Sequence, residues 1–179
     1  MKKILWSFLE ILKTIVIAVG AVILIRAFIV QPFLVSGSSM EPSFESGNYL
    51  LIDELVYRFR TPERGEVIVF KNPTGGGSYY IKRIIGLHGE KVVVNGNRVE
   101  VQTEEGSQVL EEWYVNRVQG SGHSEVTLKE DEYFMMGDNR GFSFDSRNWG
   151  PLEEDNIIGL VRLRLWPINE AMAIVAPIY

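Results

Sequence analysis

The chain has 179 residues, of which 46% are hydrophobic and 23% charged, with a formal net charge of −5 and no cysteine. Lys2, Lys3, Lys13 and Arg26 against Glu10 give residues 1–40 a charge of +3 and leave −8 on the remainder, an acidity that argues against a nucleic-acid partner. The lack of cysteine excludes thiol catalysis, disulfides and cysteine-ligated zinc, and the length suits one modest domain plus an anchor.

Residues 4–30 are mostly Ile, Leu, Val, Ala and Phe, with an uncharged core over 14–25. A helix over 9–29 is long enough for the roughly 30 Å hydrocarbon layer of a membrane, with Lys13 and Arg26 snorkelling to opposite interfaces. The lysines at the start predict a cytoplasmic N-terminus and an extracytoplasmic chain after Pro32, so residues 1–30 form the anchor and 31–179 the outer domain. A cleavable signal peptide is the competing reading, since a basic start, an apolar run and the small residues of VSGSS are its ingredients. The length of the apolar stretch and its interruption at Arg26 favour an uncleaved anchor, and a cut within SGSS would sever the most informative motif.

After Pro32 the pattern turns to short β segments: GNYLLIDEL, GEVIVF, SYYIKRIIG, EKVVVNGNRVEV and IIGLVRLRLW, separated by Gly and Pro. Asn95-Gly96 signals a two-residue hairpin, and Gly75, Gly76 and Gly77 a mobile loop. The fold class is mainly β, a single N-terminal transmembrane helix followed by an antiparallel β domain. Residues 97–130, rich in Glu, Gln, Ser and Gly, read as a variable solvated excursion with one strand near 126–128 and no chemistry.

Ser39 stands in SGSSMEP just beyond the apolar stretch. Alone, SGSS is an ordinary connector. Met40 can line a pocket, Pro42 stiffens the turn, and Gly37 allows close backbone approach to a ligand. A serine hydroxyl needs a base to become a nucleophile. His88 and His123 both sit in glycine-flanked contexts that read as exposed turns, and a histidine base stays open as an alternative. Lys82, in YYIKRIIG, is the other candidate. Alternation along a strand sends it and Arg83 to opposite sides, and if Tyr80, Lys82 and Ile84 face inward, burial lowers the amine's pKa toward neutrality. An edge-strand surface lysine is the competing reading. A third cluster, MMGDNRGFSFDSRNWG, holds Asp138, Asn139, Arg140, Ser143, Asp145 and Arg147. Its carboxylates and Arg83, Arg140 and Arg147 can neutralise one another, which points to architecture and away from a metal, and Ser143 can orient a deprotonated amine.

The chain resembles the bacterial type I signal peptidases, membrane-anchored Ser/Lys endopeptidases. SGSSMEPSF is similar to their nucleophile box, RGEVIVF with YYIKRIIGLHGE to their general-base box, and GDNRGFSFDSR to their supporting box. The resemblance implies a β catalytic domain of the signal-peptidase type, with Ser39 as nucleophile, Lys82 as general base and Ser143 as the hydroxyl that orients the lysine. It further implies supporting ion pairs among Arg83, Asp138, Arg140, Asp145 and Arg147, and an oxyanion donor at the Ser39 backbone N–H, with the Gly37 backbone, Ser36 or Ser38 as second donor. Phe33, Val35, Met40, Tyr80 and Ile81 would line pockets for small residues, in substrates cut after Ala-x-Ala. The implied partners are signal-peptide-bearing preproteins and the lipid bilayer, with no nucleic acid, metal or cofactor. Gly37, Gly141, Phe142 and His88 depart from the commoner family residues. Two rivals stand beside this reading. A self-cleaving repressor-type Ser/Lys protease would carry a DNA-binding domain in place of an anchor. A catalytically silent tethered module would bind exported chains without cutting them.

Overall fold

The computed structural model describes residues 2–28, 30–115 and 122–179, and the side chains of 6–20, 31–115 and 122–179. A helix, α1 (Lys2–Phe28), leads into β1 (Val30–Leu34). The side chains described in α1 include Glu10 and Lys13, and among the described residues no helix is long and apolar enough to cross a membrane. The expectations for the side chain of Arg26 and for a boundary at Ile29 fall outside the described residues.

The rest is β-rich. β2 (Tyr49–Asp53), β3 (Val67–Lys71) and β4 (Tyr79–Gly86) follow, then β5 (Lys91–Asn95), β6 (Arg98–Thr103), β7 (Gly106–Val109), β8 (His123–Thr127) and β9 (Glu132–Met136). One helical turn, α2 (Ser146–Trp149), precedes β10 (Leu152–Glu153), β11 (Ile157–Trp166) and β12 (Met172–Ala173). The strands form two sheets: β1-β2-β11-β3-β4-β9-β10 with β12 on β11, and β7-β6-β5-β8. The described pairs are antiparallel, as the alternating segments and short turns predict.

In the smaller sheet, alternation decides the face. Val92, Val94, Val99 and Val101 turn inward onto Ile85, Phe134 and Met136, which joins the two sheets through one apolar cluster. The hairpin between β5 and β6 differs by one residue from expectation. Asn95 pairs with Arg98, so Gly96 and Asn97 form the loop, with Gly96 at φ 58° and Asn97 at negative φ. That arrangement needs glycine first, as in a II′ turn.

Residues 97–130 depart further from expectation. β6 and β8 lie where the NRVEV segment and the strand near 126–128 are read, but β7 is additional, and Leu110 and Tyr114 are buried. A second cluster, with Val35, Met40, Phe44, Leu50, Ile52 and Val69, lies beneath the loop that carries Ser39, and a third, with Phe70, Ile84, Tyr133 and Met135, lies along β3, β4 and β9.

Candidate active site

Ser39 lies in the turn-rich segment between β1 and β2, and Lys82 midway along β4. Forty-three positions apart in sequence, they meet: Lys82 Nζ donates to Ser39 Oγ at 2.7 Å and to its neighbour's carbonyl, Ile81 O, at 2.9 Å. Lys82 is 4% exposed, and the Tyr80 ring lies 5.6 Å from Nζ. Burial pushes the amine down from the ordinary lysine value of 10.5 to about 8, against the opposing pull of Asp145 and Asp138. Neither histidine lines the groove described next: His88 is exposed beside Tyr133, and His123 begins β8 within reach of Asn95.

The pair borders a groove of about 330 Å³ lined by Phe33, Val35, Tyr80, Ile81, Phe142 and Phe144 among others. The groove lies between β1 with its following loop and the first half of β4, and Phe33 and Tyr79 meet edge to face at 5.6 Å. β9 pairs with β4 only from Arg83 to Gly86, and β1 pairs only with β2, so among the described residues Tyr79–Lys82 and β1 each keep one edge without a strand partner.

Met40 is not part of this lining. It is 1% exposed and packs with Val35, Phe44 and Leu50, because an unbranched apolar side chain directed under the loop fills the core.

The loop after β9 holds the site from behind. Gly137 N–H donates to Asp145 Oδ2 at 3.0 Å, and a Cβ on Gly137 would stand 2.3 Å from Ser143 Oγ and 2.4 Å from the Ser39 carbonyl oxygen. Only glycine allows this approach. Ser143 therefore sits close to Ser39, but its hydroxyl is buried without a hydrogen-bond partner, and its side chain borders a separate polar cavity of about 280 Å³ with Arg140, Arg147 and His123. The expected hydrogen bond from Ser143 to Lys82 is not formed. The amine is turned to Ser39 and Ile81 instead.

The arginines find their partners. Arg83 Nε and Nη2 donate to Asp138 at 2.9 and 2.6 Å, its Nη1 donates to Gly65 O at 2.8 Å, and its guanidinium lies 4.0 Å over the Tyr114 ring. Arg147 Nε and Nη2 each donate to Asp145 at 2.8 Å, and Asp145 also caps α2. Arg140 takes neither of these carboxylates. It pairs with Glu112 through two hydrogen bonds, one of them 2.7 Å from Nη1 to Oε2, and donates from Nε to Gly137 O at 3.1 Å. Glu112 belongs to the stretch read as a solvated excursion, and sequence reasoning missed it.

A family model described as "Signal peptidase, peptidase S26" matches residues 8–166. The chain belongs to that family. It is a signal peptidase I enzyme by its relatives as well. It is 37% identical over 168 residues to probable signal peptidase I-2 of Synechocystis sp., covering 90% of this chain and 75% of that one. Signal peptidase I of Leptolyngbya laminosa is 35% identical over 169 residues, covering 90% and 81%. Signal peptidase I V of Bacillus subtilis is 34% identical over 174 residues, covering 90% and 98%.

In this peptidase the loop that carries Ser39 is fixed through its carbonyls. Ser39 O accepts from Asn139 N–H, and Ser38 O accepts from Asn139 Nδ2, each at 3.0 Å. The Gly37 N–H points to Ser46 Oγ at 3.4 Å, which draws the expected second oxyanion donor toward its own loop.

Proposed function

We propose that this enzyme removes signal peptides from exported preproteins by acyl transfer through a Ser39/Lys82 dyad. The observation that carries the reading is the 2.7 Å contact between Ser39 Oγ and an amine buried beside an open groove. Neutral Lys82 accepts the Ser39 proton as Oγ attacks the scissile carbonyl carbon. The lysinium then protonates the departing amine of the mature chain. Water, deprotonated by the same amine, attacks the ester carbonyl and releases Ser39 with the signal-peptide carboxylate. Ser143, whose buried hydroxyl has no other partner, is the group available to donate to the amine and orient it.

Substrate lies in the slot as an added β-strand, hydrogen-bonded to the unpartnered edge at Tyr79–Lys82. Phe33, Val35, Tyr80 and Ile81 form shallow apolar pockets that admit alanine-sized side chains and reject larger ones by overlap, which gives cleavage after Ala-x-Ala. The Ser39 N–H is the first oxyanion donor, and Ser36 or Ser38 is better disposed than Gly37 to supply the second. Arg83, Asp138, Arg140, Asp145 and Arg147 hold the loop behind the dyad.

The N-terminal apolar segment anchors the enzyme in the cell membrane with its N-terminus in the cytoplasm and residues 31–179 outside. Leu34, 57% exposed between anchor and nucleophile, is suited to contact the membrane surface.

The test is cleavage of an exported preprotein in liposomes by the parent, Ser39→Ala and Lys82→Met, with products mapped by mass spectrometry. Cleavage after Ala-x-Ala by the parent and by neither variant is expected. Activity surviving in Lys82→Met would falsify the dyad.

A further inference from the structure

Asn139 is 4% exposed and grips two consecutive peptides of the nucleophile loop, through its N–H to the Ser39 carbonyl and through Nδ2 to the Ser38 carbonyl. Its own Oδ1 is buried without a hydrogen-bond partner. An unsatisfied buried amide oxygen is uncommon and costly, so its presence calls for a reason. The opposite orientation of the amide would set Oδ1 against the Ser38 carbonyl oxygen and remove the one contact the side chain makes. The orientation is thus fixed by the hold on Ser38.

We propose that Asn139 is the positioning residue of the oxyanion site, aiming the Ser39 N–H into the groove by holding the Ser38 carbonyl from behind. This inference rests on the reading of Ser39 as nucleophile. The peptide joining Ser38 to Ser39 is planar and trans, so its C=O and N–H point in opposite directions across one rigid unit. The oxygen accepts from Asn139 Nδ2 at 3.0 Å and from the Glu41 N–H of its own loop at 3.2 Å; Asn139 is the partner that ties it to the loop after β9, and because Asn139 stands outside the groove, the N–H faces away from it. That N–H takes no part in the hydrogen bonds within its own loop. The second bond, from the Asn139 backbone to the Ser39 carbonyl, stops the neighbouring peptide from swinging, and Gly137 lets the two segments come this close. An oxyanion donor acts chiefly when it is already oriented before charge develops. The N–H of Ser39 supplies the interaction; the Glu41 N–H sets the local turn, and Asn139 fixes that turn against the rest of the domain.

The experiment compares the full-length parent with Asn139→Ala, Asn139→Asp and Ser39→Ala in liposomes. It measures kcat and KM on a preprotein, the pH profile, thermal midpoints, and inhibition by a peptide aldehyde that forms a tetrahedral adduct. Both Asn139 variants are expected to lose kcat by about 30- to 100-fold with KM within about threefold, and to bind the aldehyde more weakly by a similar factor. The acidic midpoint of Asn139→Ala should stay at the parent's value, since the amine's surroundings are intact. A kcat close to the parent's, a loss confined to KM, or collapse of the thermal midpoint in both variants would overturn the inference. Activity in Ser39→Ala would instead sink the nucleophile reading on which it stands.

Discussion

Lys82 and Arg83 are chain neighbours, each 4% exposed, and they sit in opposite chemical settings. Around Arg83 every need of the cation is met: two bonds to Asp138, one to a carbonyl, and an aromatic face beneath the guanidinium. Around Lys82 there is a hydroxyl, a carbonyl and apolar surface. Asp145 and Asp138 reach it only through space, because both are already bonded to arginines. Two differences separate the neighbours: the guanidinium is the stronger base and has a carboxylate in contact, whereas the amine is weaker and has none, so the same strand carries a fixed charge and a titratable base side by side.

The comparison breaks first at Lys82. Lys82→Arg keeps the charge and much of the length but cannot give up its proton near neutrality, and cleavage is expected to fall on the order of 10⁴-fold. Single-turnover assays of preprotein cleavage would show it, and retained activity would mean that the cation, not the free amine, is what the site needs. On the other side, Asp138→Ala leaves a buried guanidinium without its counter-ion and should cost about 3–5 kcal/mol of stability, read as a drop in the denaturant midpoint. A loss below about 1 kcal/mol would show that Arg83 finds a substitute partner.

A sharper form of the comparison uses pH. The amine is held below its unfolded value, so the protonated form is the one the fold disfavours. Its contribution to stability is lowest below about 8 and rises between about 8 and 10.5, where the unfolded chain still holds a proton that the folded chain has released. Lys82→Met should remove that rise and stabilise the enzyme at pH 7 by about 2 kcal/mol. Activity runs the same way, with kcat/KM rising through about pH 8 as the neutral base forms. A flat profile from pH 6 to 9 would count against a titrating lysine. The smallest effect is expected at His123, 58% exposed at its side chain, where His123→Ala should leave cleavage within about twofold and stability within about 0.5 kcal/mol.

Much of the fold could be read from alternation. The segments around β2, β3, β4, β5, β6 and β11 were legible because each shows a period of two or a short apolar run bounded by turn residues. Ser39 and Lys82 were legible as candidates through their flanking residues and the family resemblance. Their meeting was implied by the resemblance alone, since nothing in a linear pattern fixes the distance between a loop and a strand that are long-range neighbours. Met40 misled because an apolar residue beside a nucleophile serves a pocket wall and a core equally well. Glu112 was hidden by its setting among Glu104, Glu105 and Glu111, yet a physical clue existed. Arg83, Arg140 and Arg147 outnumber Asp138 and Asp145, so one of the three guanidinium groups, of which Arg83 and Arg140 are buried and Arg147 half-buried, takes its carboxylate from elsewhere. The hairpin slipped by a single residue because Asn-Gly and Gly-Asn are both turn pairs, and the partnering of Asn95 with Arg98 decides between them.

The unpartnered edge at Tyr79–Lys82 carries a consequence for timing. If substrate binds there as an added strand, as proposed above, the slot measures local unfoldedness before it measures sequence. A cleavable tripeptide held in a helix, or tucked into a finished domain, has no free backbone to lend and passes unread. On this reading, secretion and maturation are kept in step by geometry: the cut comes while the emerging chain is still extended, and the newly made N-terminus, once drawn into its own fold, cannot return.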